Sequence, residues 1–210
     1  MSIVIAAASH EGAAAVHHSA PLIPVEVLGV PEYSNHGGYS HVQRALRRLW
    51  EIHPGKRWYM KIDDDAFLYP GNLLHVLAHA GAKPSKIQAF GNTLTQGGHF
   101  VSGGAGYVLS AVALEALLAR EHVCFNASQW PADTNEDIVV SACLDGLGAS
   151  FVHGHGFYMS PPDQAFTSWR KHHWTGEARY PVTFHWLSSA HTKACLACGC
   201  VEVAGAGGID

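Results

Sequence analysis

The chain has 210 residues, which predicts one domain, and 48% of them are apolar, which is ample material for a buried core. Charged residues reach only 14%, and this balance excludes an intrinsically disordered chain. A formal net charge of -4 with 13 basic residues argues against a nucleic-acid binder, which would need a basic face.

In chain order, residues 2–8 and 24–30 are short apolar runs that read as strands, and Asn35-His36-Gly37-Gly38 then breaks the chain. Residues 39–53 place Val42, Ala45, Leu46, Leu49 and Trp50 at helical spacing, and Pro54-Gly55 ends that helix. A strand over 57–62 runs directly into Asp63, Asp64 and Asp65. Pro70 or Gly71 opens a helix through Leu73, Leu74 and Leu77 that ends near Gly81, and 87–91 is another strand. Residues 100–109 read as a strand pair or turn interrupted by Gly103, Gly104, Ala105 and Gly106. Ser110 caps a helix through Leu118, 134–147 is a further helix, and 149–152 is a strand. After Gly154, aromatics, prolines and paired histidines suggest long loops. Strands alternating with helices predict an α/β sandwich with a largely parallel sheet.

No apolar run approaches the ~18–20 residues that span a bilayer. The N-terminal stretch lacks the basic start of a signal peptide, and its apolar run stops at Ser9-His10-Glu11. Five cysteines (Cys124, Cys143, Cys195, Cys198 and Cys200) make no tidy disulfide set. Cys195, Cys198 and Cys200 resemble half a zinc site, without a second pair at suitable spacing. With 16 histidines in the chain, pH and metals stay open questions; His17, His18, His153, His155, His172 and His173 read as surface or loop residues.

The acidic triplet is the most informative stretch. Alternate side chains of a strand share a face, so Asp63 and Asp65 point together and Asp64 points away. Carboxylate oxygens suit Mg²⁺ or Mn²⁺, and parallel α/β sheets bind ligands at the carboxyl ends of their strands. A solvated acidic loop is the equal alternative for so short a motif. Gly103, Gly104 and Ala105 offer a backbone that a ligand can approach closely, or a tight bend. Asp137 stands at a helix start, where it reads either as a general base or as part of a capping box from Thr134. His185, between Phe184 and Trp186, reads as a metal ligand or as a core histidine.

Taken in order, WYMKIDDDAFLYPGNLL, SGGAGYVLS, NEDIVVSACL and VTFHW resemble glycosyltransferase family 31, in its Fringe and core 1 β1,3-galactosyltransferase branch. The resemblance covers roughly residues 2–188. It implies a GT-A-like (Rossmann-like) α/β fold and inverting transfer from a UDP-sugar, with Mn²⁺ or Mg²⁺, to an acceptor hydroxyl of a glycan or glycoprotein. The implied linkage is β1,3, and the implied setting is the Golgi lumen, as a type II membrane protein. The resemblance implies that Asp63, Asp65 and His185 hold the metal and that Asp137 is the catalytic base. By the same resemblance, Trp58, Asp63, Asp64, Gly103, Gly104, Ala105 and Glu136 line the donor, and Cys124 and Cys143 match a family disulfide.

Relatives begin with a membrane anchor and stem, then a strand and helix that hold the uridine. This chain starts at what looks like the second strand, so the expectation is an N-terminally truncated domain over 1–190 lacking its first βα unit. The Cys- and Gly-rich residues 191–210 are expected to be a disordered tail. The leading function is a UDP-sugar-dependent β1,3-glycosyltransferase moving a hexose or N-acetylhexosamine. The alternative is a catalytically inactive sugar- or nucleotide-binding relative, or a gene fragment. A homodimer stays open.

Overall fold

The computed structural model describes residues 5–7, 25–27, 39–63, 65–94, 99–131, 134–161 and 181–185. The 191–210 tail, Asp64, Trp186, the paired histidines at 17–18 and 172–173, and Cys195, Cys198 and Cys200 lie outside the described residues.

Strands β1 (Ile5–Ala7) and β2 (Val25–Val27) form a two-stranded parallel sheet. Helix α1 (Tyr39–Ile52) leads to β3 (Trp58–Lys61), β4 (Phe67–Leu68) and helix α2 (Pro70–His79). Next come β5 (Gln88–Gly91), the short pair β6 (Thr93–Leu94) and β7 (Phe100–Val101), and β8 (Tyr107–Ser110). Helices α3 (Ala111–Ala119), α4 (Glu121–Cys124) and α5 (Glu136–Gly146) follow, then β9 (Ser150–His153), β10 (Phe157–Tyr158) and β11 (Thr183–Phe184).

The central sheet has the order β3-β8-β5-β9. It is mixed rather than largely parallel: β8 runs antiparallel to both neighbours, and only β5 and β9 pair in parallel. The reason lies in the connection from β5 to β8. Among its described residues it contains the small antiparallel pair β6–β7 and no crossover helix, and the chain returns beside itself in the opposite direction.

Strand alternation sorts the core into two layers. Tyr59, Ala89, Tyr107 and Leu109 face α1, α3 and α5, with Leu46, Leu114, Leu117, Val140 and Leu144 fully or nearly buried against them. Met60, Phe90 and Val108 face the opposite way, onto Leu73, Val76 and Leu77 of α2 and onto Phe157 and Val182. Each large apolar side chain so buried contributes about 1.5–3 kcal/mol.

Ser110 stops β8 and starts α3. Its hydroxyl accepts from Ala113 N at 3.1 Å as the expected cap and donates to the Lys86 carbonyl at 2.6 Å. Cys124 and Cys143 are joined in a disulfide with Cα atoms 5.4 Å apart, tying α4 to α5. Among the described residues, no helix is long and apolar enough to cross a membrane.

Candidate active site

Period-two alternation puts Lys61 on the same face as Tyr59, opposite Tyr107 in the register. There the chain has placed an ammonium where an apolar side chain would otherwise sit. Lys61 Nζ donates to Asp63 Oδ1 at 2.6 Å and to the Gly103 carbonyl at 3.3 Å, and pairs with Glu136 Oε1 at 2.7 Å. Burial pulls the Lys61 ammonium down, but Glu136 and Asp63 more than offset it and hold it above its ordinary range. Burial pushes the Glu136 carboxyl up, and Lys61 only partly reverses this. Burial also raises the Tyr107 hydroxyl well above its usual range, helped by Glu136, Asp137 and Asp63.

Two-residue strands assemble the second part of the site. Strand β11 pairs antiparallel with β4, Phe184 opposite Phe67, and parallel with β10. Thr183 Oγ1 donates to the Ala105 carbonyl at 2.5 Å and fixes β11 against the glycine loop. Continuing the β4–β11 register by one residue sets His185 across from Ala66, next to Asp65. His185 Nε2 accordingly lies 3.2 Å from Asp65 Oδ1 and 3.5 Å from Asp63 Oδ2. One ligand atom from each of Asp63, Asp65 and His185 lies within 4.8 Å of the others, a spacing and donor set that fit a divalent cation.

The glycine loop joins this group to α5. Ser141 Oγ accepts from Val101 N at 3.2 Å, and the turn closes with Gly106 N donating to the Gly103 carbonyl at 2.9 Å. Gly106 needs its glycine for a φ of +76°. At the two preceding glycines the vacated space is filled by the protein's own side chains. A Cβ on Gly103 would run into the Glu136 carboxylate, and one on Gly104 into the His185 ring.

The N-cap of α5 is Asn135, whose side chain makes no capping bond, so the capping box expected from Thr134 does not form. Asp137 Oδ2 instead accepts from Gly103 N at 2.7 Å, and Oδ1 accepts from Ile138 N at 2.8 Å. Its carboxylate spans from the helix to the loop.

The fold therefore brings Asp63, Asp65, Gly103, Gly104, Glu136, Asp137 and His185 into one cluster, with Ala105 buried behind it. Trp58 lies elsewhere. It starts β3, at the end away from Lys61, and packs edge-to-face on Phe90 at 5.4 Å. Asp64 lies outside the described residues. Sequence reasoning missed Lys61, although a lysine at an inward position of an otherwise apolar strand was a readable signal.

A family model described as Fringe-like matches residues 39–189. The chain belongs to the Fringe-like family. The Fringe-like match begins at α1 and takes in every residue of the cluster, leaving β1 and β2 outside it. Two curated proteins named beta-1,3-glucosyltransferase are similar to the chain. The human one is 27% identical over 169 residues, covering 78% of this chain and 31% of the relative. The mouse one is 28% identical over 167 residues, covering 78% and 32%. This Fringe-like chain thus spans about a third of the length of the curated relatives it matches.

Proposed function

We propose that this chain is a GT-A-type, cation-dependent, inverting glycosyltransferase that moves a hexose or N-acetylhexosamine from a UDP-sugar to an acceptor hydroxyl on a glycan or glycoprotein. The observation that carries this reading is the convergence of Asp63, Asp65 and His185 beside a loop that is hydrogen-bonded to Asp137. Family membership and the names of the two relatives support it, and those names favour a β1,3 linkage with glucose a candidate sugar. The Cys124–Cys143 disulfide supports an oxidising compartment, and we assign the activity to the Golgi lumen.

Asp63, Asp65 and His185 would hold the Mn²⁺ or Mg²⁺. When bound, the cation supplies Lewis-acid stabilisation of the leaving diphosphate. Asp137 takes the proton of the acceptor hydroxyl. Each of its oxygens already accepts one backbone N–H, and each keeps a second lone pair for that proton. One carboxylate suffices for a single inversion, in contrast to the two used by retaining hydrolases.

A second reading is a sugar-nucleotide-binding relative without turnover. What favours it is that both Asp137 oxygens are already engaged by backbone N–H groups, one from the glycine loop and one at the start of α5. One experiment separates the two. Mn²⁺-dependent turnover of a panel of UDP-sugars is expected, with Asp137→Asn losing about 10²–10⁴ in kcat while UDP binding is retained. A folded chain that binds UDP with Mn²⁺ but turns over no donor establishes the binding module instead. UDP affinity that is unmoved by a chelator removes the cation from the reading.

A further inference from the structure

Lys61 joins three segments far apart in the chain through one ammonium: Asp63 after β3, Gly103 in the glycine loop and Glu136 on α5. Its side chain is only 13% exposed. The contacts divide the Asp63 carboxylate in two. Oδ1 receives the ammonium at 2.6 Å, and Oδ2 faces His185 Nε2 at 3.5 Å within the cation group. Gly103 is shared likewise, its carbonyl turned to Lys61 and its N–H to Asp137 Oδ2. A continuous path of contacts therefore runs from the cation group through Lys61 and Gly103 to the proposed base.

We propose that Lys61 is a positioning residue that reserves one oxygen of Asp63 for the cation and sets its place relative to Asp137. The inference rests on the cation-dependent transferase reading. It carries a sign that a purely structural ion pair would not. A positive charge against a ligand carboxylate repels a dication and withholds one oxygen from it. Removing it should strengthen binding of the bare ion while loosening the alignment that transfer needs.

The decisive variant is Lys61→Met with Glu136→Gln, which removes one charge of each sign and leaves no uncompensated carboxylate at 136. Its fold is checked by near-UV circular dichroism. Mn²⁺ affinity is read without nucleotide, from the electron paramagnetic resonance signal of the free ion, and turnover is then measured with donor. Relative to Glu136→Gln alone, which has already lost the same anionic charge, we expect Mn²⁺ to bind about fivefold tighter and kcat to fall roughly 10–100-fold. Tighter ion binding with slower turnover is a combination that damage to the fold does not produce. A folded pair variant that binds Mn²⁺ no tighter than Glu136→Gln alone, or that keeps the kcat of Glu136→Gln, overturns the inference.

If the pair variant does not fold, Lys61→Arg decides. Arginine keeps the charge but presents it as a rigid planar fork. It should hold Mn²⁺ affinity within about twofold and lower kcat, and wild-type kcat refutes the positioning role. Failure of the underlying reading looks different: wild type itself binds no Mn²⁺, or Asp65→Asn binds it unchanged. In that case the inference falls with the reading.

Discussion

Replacing Gly104 by alanine would drive one methyl group into the His185 ring. The added Cβ would stand 2.5 Å from Cε1 and 2.6 Å from Nδ1. Ordinary carbon contacts lie at ~3.5–4.0 Å, so the ring must retreat by about 1 Å. A displacement of that size is several times the ~0.2 Å tolerance of a ligand distance. It would carry Nε2 away from Asp65 Oδ1, from which it now stands 3.2 Å. The backbone at 104 needs no positive φ, and the obstructing atoms belong to a side chain that can swing aside. The cost should therefore fall on the site and not on the fold. We expect Mn²⁺ affinity to drop about 10–100-fold, the usual penalty for misorienting a ligand, with a nearly unchanged melting temperature. Gly146→Ala is the control, because a Cβ there meets nothing within 4 Å. The assay is titration of Mn²⁺ into folded protein, following the free ion. Wild-type affinity in folded Gly104→Ala would refute the account of why residue 104 is glycine.

Two further predictions concern stability. The Cys124–Cys143 bridge spans a sequence separation of 19, so Cys124→Ser should cost about 3 kcal/mol in denaturant unfolding; a loss under about 1 kcal/mol would show that the bridge adds little to α5. The raised Glu136 carboxyl makes its ionisation oppose folding: its contribution is fully present below the ordinary value of 4.5 and is lost as pH rises through the folded-state value. Glu136→Gln should therefore gain urea stability relative to wild type as pH rises above 4.5, and a gap that stays flat or narrows contradicts the burial argument.

The elements with strong periodicity were legible in the sequence. Helix α1 ends one residue short of its expected limit, and the expected strand over 87–91 is β5. Ser110 caps α3 as read, because a short hydroxyl before an apolar run has few other uses. Sheet direction was not legible. Periodicity says which residues face inward but not which way a strand runs, and the β6–β7 connection alone reverses β8. The carboxylates and His185 could be named from their motifs, but their meeting depends on the antiparallel β4–β11 register, and periodicity does not say which distant strand pairs with which. The sequence reads Gly103 and Gly104 as room for a ligand or as a tight bend, and in the structure the groups that crowd these two positions are Glu136 and His185.

The distance along the chain from Asp63 to His185 also has a kinetic meaning. Two of the three proposed ligands sit within one turn of chain, and the third arrives from position 185. Local contacts close quickly, whereas joining segments this far apart carries a larger loop-closure entropy and waits on the intervening domain. A half-folded chain would hold its acidic residues and much of its helix yet have no pocket for an ion. On the proposed reading, cation affinity is thus a late milestone of maturation. In a refolding experiment it should return after the helical signal, so that metal uptake marks the arrival of the native chain rather than its secondary structure.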